Sequence, residues 1–412
     1  MSAFQMMEFH TYTLPNGIRL IHKETNREVA HCGLVINAGS RDEEEHEQGL
    51  AHFIEHAIFK GTVKRKPYHI LNRLDRVGAE INAYTTKEEI WIYASFINKD
   101  FERAVELIAD ISLNATFPEK ELVKERDVII DEINSYRDNP GEQIFDDFEE
   151  LLFEGHSIGR NILGTLESVK SLSREDIFNF KKRRYVTENM VFSSVGNIPF
   201  KRVKRLAEKF FGGYQHHMAE ENRKPYTGYE PRHKVEDADT HQVHHLLGST
   251  AYHFDHPKKT GLVVLNNFLG GPAMNSRLNM GIREKYGLAY NVESNYTPYS
   301  DTGVFEIYLG TDPTYFEKSK NLIAKELKSL REKKLGATQL QQAKKQLIGQ
   351  IALAQDSGAG TMLALGKSYL LYDRVDSLQE VFRKIEEVTS EDLIEIANEI
   401  FDESRMSSLT LT

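Results

Sequence analysis

Three features of this 412-residue chain predict an α+β fold of two homologous domains, each a mostly antiparallel sheet covered by helices. The chain is written twice. Residues 171–180 (SLSREDIFNF) resemble 387–396 (EVTSEDLIEI) at an offset of 216, and 120–133 (KELVKERDVIIDEI) resemble 338–351 (TQLQQAKKQLIGQI) at an offset of 218. Two nearly equal offsets mean one duplication, not a solenoid. Short β-prone runs and longer stretches of helical spacing occur in both halves without strict alternation, which favours α+β over a parallel α/β sheet. Finally, 212–233 (GGYQHHMAEENRKPYTGYEPRH) is polar, rich in turn residues and nearly free of aliphatic side chains, as a linker is. The expected domains are 1–213 and 233–412, joined by 214–232.

Taken in order, 10–23 reads as the first strand, with 18–21, 33–37 and 90–97 as further β-rich runs. Residues 50–59, 68–77, 101–113 and 119–135 carry helical spacing. In 101–113 the apolar Phe101, Ala104, Leu107, Ile108 and Ile111 fall mostly three and four apart, which puts them on one face. Ser173 and Thr389, each followed by acidic residues, read as helix caps. Cys32, beside Val35 and Ile36, and Trp91, the only tryptophan, read as core residues.

Composition excludes several classes. The net charge of −10 gives no bulk attraction for nucleic acid or anionic lipid. A single cysteine rules out an internal disulfide and thiolate-rich metal sites. No apolar run reaches the ~18–20 residues of a membrane span, and the N-terminus lacks a basic-then-apolar leader, so the expected location is the cytoplasm.

Residues 50–59 (LAHFIEHAIF) carry the chemistry. On a helix, His52 and His56 lie four apart on one face, close enough to share a metal ion, and Glu55 points to the same side. A catalytic zinc takes three protein ligands and keeps an open position. It acidifies water, and a nearby base such as Glu55 can take the proton. A His-x-x-acid-His pattern arises by chance about 0.09 times in a chain of this composition. Alone, the pattern also suits an amphipathic helix with half-buried histidines. The segment 119–135 offers a third ligand: Glu125 and Glu132 are seven apart, about two turns, and share a face. Val128, Ile129 and Ile133 around them suggest a largely buried helix. Alone, these glutamates also read as solvated acids.

His-x-x-Glu-His with a further glutamate 76 residues after His56 resembles the inverted zinc motif of the pitrilysin family of metallopeptidases. The segments 49–62 (GLAHFIEHAIFKGT), 82–86 (NAYTT) and 162–165 (ILGT) are similar to family segments. The resemblance, to the short two-domain branch related to mitochondrial processing peptidase subunits, implies the following. His52, His56 and Glu132 ligate one zinc per chain, Glu55 is the general base, and Glu125 orients a ligand histidine. The first domain is catalytic and the second an inert duplicate: at the repeat offsets the ligand positions fall on Asn267, Gly271 and Gln350, and Glu125 on Ala343. The second domain carries Arg283 and Tyr290, in 276–290 (SRLNMGIREKYGLAY), which in the family contact the substrate backbone and the developing oxyanion. The strand near Asn82 and Ala83 is implied to be an edge to which an extended substrate adds.

The implied function is a zinc metalloendopeptidase acting on peptides or unfolded polypeptide segments. It is expected to be a homodimer with composite active sites and to have no nucleic-acid or membrane partner. The alternative is a non-catalytic or partner-dependent subunit of a heteromeric processing peptidase. Among other features, His241, His244 and His245 read as strand residues, His216 and His217 as solvated linker residues, 266–272 (NNFLGGP) as a loop, and 43–45 as a solvated acidic turn.

Overall fold

The computed structural model describes residues 9–215 and 223–412; His216 and His217 lie outside the described residues. The described chain forms two compact units, each an α+β assembly around one sheet.

The first unit holds a six-stranded sheet: β1 (Phe9–Thr13), β2 (Arg19–Glu24), β3 (Val29–Ile36), β4 (Glu80–Thr85), β5 (Ile90–Ile97) and β6 (Met190–Gly196). Their order is β1-β2-β6-β3-β5-β4. Only β2 and β6 run parallel. The single strand expected over 10–23 is a hairpin instead. Pro15, Asn16 and Gly17 interrupt it, and Gly17 takes φ 97°, a left-handed value that suits glycine.

Both faces of this sheet are buried. Cys32, Leu34 and Ile36 of β3 join Met190 and Phe192 of β6 in one core cluster, which also contains the apolar stripe of the helix Phe101–Asn114. Val35, Val191, Val195 and Trp91 face the other way and pack against Met362 and Leu365 of the helix Gly358–Tyr372. The helix comes so close that a Cβ at Gly366 would sit 2.4 Å from the Trp91 ring. Burial on both sides is why β3 and β6 show no apolar–polar alternation.

The second unit holds β7 (His233–Glu236), β8 (Val243–Ala251), β9 (Ala289–Pro298), β10 (Gly303–Thr311) and β11 (Ser407–Leu411), in the order β7-β11-β8-β10-β9. Position for position this repeats the first sheet without β1, the topological signature of the duplication. Phe305, Ile307 and Leu309 of β10 pack with the helices Lys259–Gly270, Phe316–Glu332 and Ser390–Ile400. The opposite face buries Ile144, Phe148 and Leu152 of the helix Pro140–Leu152.

The units are interleaved along the chain, in contrast to the contiguous ranges 1–213 and 233–412 expected from the sequence. The first comprises 1–133, 161–223 and 352–378; the second comprises 134–160, 224–351 and 379–412. Each sheet has two apolar faces, and in each case one of them is covered by a helix from the other half of the sequence. Within the expected linker 214–232, the described Arg223 is tied to the first unit: it makes a two-pronged ion pair with Asp42, at 2.9 and 2.7 Å. The expected loop at 266–272 is instead mostly the last turn of the helix Lys259–Gly270, whose C-terminal glycines close it.

Candidate metal centre

The helix Leu50–Ala57 starts at Gly49, whose φ of 88° lies in the left-handed region and whose Cβ, if present, would meet the Leu163 carbonyl oxygen at 2.6 Å. Its first turn is held by Glu43, whose carboxylate accepts from the backbone N–H groups of Gly49 (3.0 Å) and Ala51 (2.8 Å). Glu43 is buried, which corrects the reading of 43–45 as a solvated turn at that residue, while Glu44 and Glu45 are exposed. A helix start hidden from water needs an acceptor for its free amides, and Glu43 supplies both oxygens. Leu50, Phe53, Ile54 and Ala57 anchor the helix in the core, and His52 is buried beside them.

The helix Glu119–Arg137 presents Glu125 and Glu132 to these histidines. Only one face of it is buried, through Leu122, Glu125, Ile129 and Ile133. Val128 is about half exposed, so the expectation of a largely buried helix is too strong. The imidazoles of His52 and His56 lie with ring centres 4.7 Å apart. Both Nε2 atoms face the same Glu132 oxygen, at 3.7 Å from His52 and 3.6 Å from His56. One donor atom from each of His52, His56 and Glu132 can be chosen so that all lie within 4.8 Å of one another.

These donors fit zinc. A tetrahedral ion about 2.0–2.2 Å from nitrogen and oxygen ligands sets neighbouring donors about 3.3–3.5 Å apart, so the two histidine–glutamate separations need a shift of only a few tenths of an ångström. Burial, and then the neighbouring His56, lower the His52 imidazole to about pKa 3, so it stays neutral with a lone pair to give. Two imidazoles and a carboxylate are the ligand chemistry zinc prefers among common divalent ions. A second grouping, Glu44, His46 and Glu47, sits on the turn before the helix. There Arg183 already neutralises Glu47 at 2.5 Å, so a third acceptor is not free for a cation.

Glu55 lies one residue before His56. Its carboxylate accepts from the hydroxyl and backbone N–H of Thr85, the last residue of β4. Burial lifts the carboxyl above its ordinary range and Glu132 adds to the rise, while Thr85 and His56 oppose it. Glu125 is buried with its Oε2 3.4 Å from His56 Nδ1, the position of a group that orients the ring. Its other oxygen is 2.7 Å from Lys60 Nζ. Sequence reasoning assigned no role to Glu43, Lys60 or Thr85. Lys60 and Thr85 stand inside segments singled out there, but their partners are distant in the chain and leave no local pattern.

Asn82 and Ala83 lie on β4, the terminal strand of the first sheet, paired on one side only with Tyr93 and Ile92 of β5. Arg283 and Tyr290 belong to the second unit, on the short helical segment Asn279–Glu284 and at the start of β9, and both are exposed. Asn267 sits in the helix Lys259–Gly270, while Ala343 and Gln350 sit in the helix Ala337–Ala354. The second unit therefore repeats the supporting helices without the side chains of the candidate metal centre.

The chain matches the family described as Insulinase (Peptidase family M16) over residues 19–166 and that described as Peptidase M16 inactive domain over 171–347. It is 33% identical to the uncharacterized zinc protease YmxG of Bacillus subtilis (strain 168), with 95% of each chain covered. The chain belongs to the pitrilysin-type M16 family. An uncharacterized zinc protease of Rickettsia bellii is 30% identical, with 97% of each chain covered. Among solved structures, a protease from Helicobacter pylori has the same fold, with a TM-score of 0.92, 22% identity, and 99% and 100% of the two chains covered. A Pseudomonas fluorescens structure titled as a peptidase M16 inactive domain aligns with a TM-score of 0.90 at 20% identity over 98% of each chain. Relatives in this M16 group thus carry the name zinc protease, in keeping with the donor set described above. Among the described residues, no helix is long and apolar enough to cross a membrane.

Proposed function

We propose that this protein is a zinc-dependent endopeptidase that hydrolyses peptides or unfolded polypeptide segments. The observation that carries the reading is the convergence of His52, His56 and Glu132 donors beside Glu55 on the same helix. His52, His56 and Glu132 would hold the ion. Zinc held there supplies a Lewis acid that polarises a peptide carbonyl and makes water more acidic.

The chain's own residues do the rest. Glu55, held by Thr85, accepts the proton of the attacking water and can return it to the departing amine. Glu125 takes the Nδ1–H of His56 and leaves Nε2 free as a donor. The open edge of β4 can pair with an extended peptide backbone, a mode that reads main chain rather than side chains and so favours broad specificity. Arg283 and Tyr290, by the family resemblance, supply a cation and a phenol where negative charge develops. The intact donor set and base favour this catalytic reading over that of a non-catalytic subunit.

The test joins metal analysis to a peptide-library digest. The parent is expected to retain zinc and to cleave peptides, and chelation to stop it. Glu55→Gln is expected to keep the metal while losing roughly 10²–10⁴-fold in rate. Cleavage that survives both chelation and Glu55→Gln overturns the proposal.

A further inference from the structure

Beyond the donor set and the carboxylate that orients it, the geometry points to Lys60 as a positioning residue for the metal centre, acting through Glu125 on His56. Lys60 ends the turn Ile58–Lys60, which continues directly from the helix bearing both histidines. Its ammonium stands 2.7 Å from Glu125 Oε1, while Glu125 Oε2 stands 3.4 Å from His56 Nδ1. The glutamate side chain is only 9% exposed, against 28% for the lysine. Lys60 is thus the half-buried outer member of a row of three, and Glu125 the buried middle one.

A carboxylate this buried has few partners that can fix its rotation. Held at one oxygen by a cation, it offers the other to the imidazole in a single orientation. That sets the His56 tautomer with Nδ1–H donated and Nε2 left as the donor atom. His52 has no such brace, since its Nδ1 is buried without a hydrogen-bond partner among the described residues. The Lys60–Glu125 pair is therefore the device that orients one of the two imidazoles, and packing alone orients the other.

The sign of the expected effect separates this role from simple electrostatics. Removing a positive charge near a dication should tighten binding, by Coulomb's law. Losing an orienting brace should weaken it, as outer partners of metal ligands do when mutated, by about 10–100-fold.

The inference rests on the metal-site reading above, and one experiment separates the two. Apo protein is titrated with zinc against a chromophoric chelator, and folding is followed in parallel by circular dichroism and thermal unfolding. The variants are the parent, Lys60→Met, Lys60→Arg, Glu125→Gln, the double variant Lys60→Met/Glu125→Gln, and His52→Ala as the ligand control. Lys60→Met is expected to raise the zinc Kd about tenfold, Lys60→Arg to stay within about threefold of the parent, and Lys60→Met to add nothing in the Glu125→Gln background. Should Lys60→Met fail to fold, Lys60→Gln makes the same comparison with the same expected sign. Zinc bound by Lys60→Met as tightly as by the parent or tighter, or a loss just as large in the Glu125→Gln background, overturns the role of Lys60 and leaves the metal site standing. If the parent binds zinc no better than His52→Ala, both readings fall.

Discussion

At the start of the metal helix, Glu43 meets two backbone amides that would otherwise be buried and unpaired, at 3.0 and 2.8 Å. Replacing it with alanine removes both acceptors at once, at a cost of about 2–3 kcal/mol in unfolding free energy, since the bonds are charge-assisted and shielded from water. Glu43→Gln keeps one acceptor and is expected to lose about half as much. Denaturant unfolding of the two variants checks this; an alanine variant as stable as the parent would show that the helix start finds other partners. Side chains of this kind mark the limit of sequence reading. His52, Glu55 and His56 could be picked out because helical periodicity puts them on one side of a helix, whereas spacing left Glu125 and Glu132 open and only the family resemblance singled out Glu132 as a ligand. Glu43 sits in an acidic run that resembles any solvated turn, and only its position beneath Gly49 and Ala51 gives it a role.

At the level of elements, helical spacing located Leu50–Ala57, Pro67–Asp75, Phe101–Asn114 and Glu119–Arg137, but not Pro140–Leu152 and not the sheet a helix would cover. The helix Pro140–Leu152 packs on the second sheet although it lies in the first half of the chain, because Ile144, Phe148 and Leu152 fill the face made by Leu246, Val304 and Leu409. An apolar stripe states that a helix must be buried, not against what. Beneath this helix lies a polar exception, Glu306 of β10. Burial pushes its carboxyl up to about pKa 8, and the charges of Glu149, Glu293 and Asp146 add to the rise. Unfolded, the group titrates near its ordinary value of 4.5. Between these two values the folded state holds a proton that the unfolded chain has released. Stability from this group is therefore full below pH 4.5, falls as the pH rises from there, and is lost once the pH has climbed through 8. Glu306→Gln is expected to gain about 2–4 kcal/mol over the parent at pH 8.5 and almost nothing at pH 4.5. Unfolding curves at the two pH values decide it, and a gain independent of pH would mean that packing, not ionisation, separates the variants.

For the molecule as a whole, the duplication separates two sets of chemistry. The first unit holds the candidate metal donors His52, His56 and Glu132 with Glu55 beside them, while the second repeats the scaffold without them and bears Arg283 and Tyr290 at exposed positions. The proposed roles of Arg283 and Tyr290 require that they reach a peptide held at a metal centre, and a paired chain is one way to supply them. If two copies of the chain pair so that each lends Arg283 and Tyr290 to the other's metal, then His52→Ala and Arg283→Ala homodimers are each inactive by different losses. A mixed dimer then has one site with both defects and one with neither. Random exchange at equal amounts makes half the dimers mixed, so about a quarter of the parent rate per chain should return. The measurement is peptide cleavage after the two variants are exchanged, with mixed dimers verified by differential tagging. A rate that stays at the level of the separate variants once exchange is verified rejects shared sites. Recovery near one quarter, and not near one half, is the value that a single restored site per mixed dimer requires.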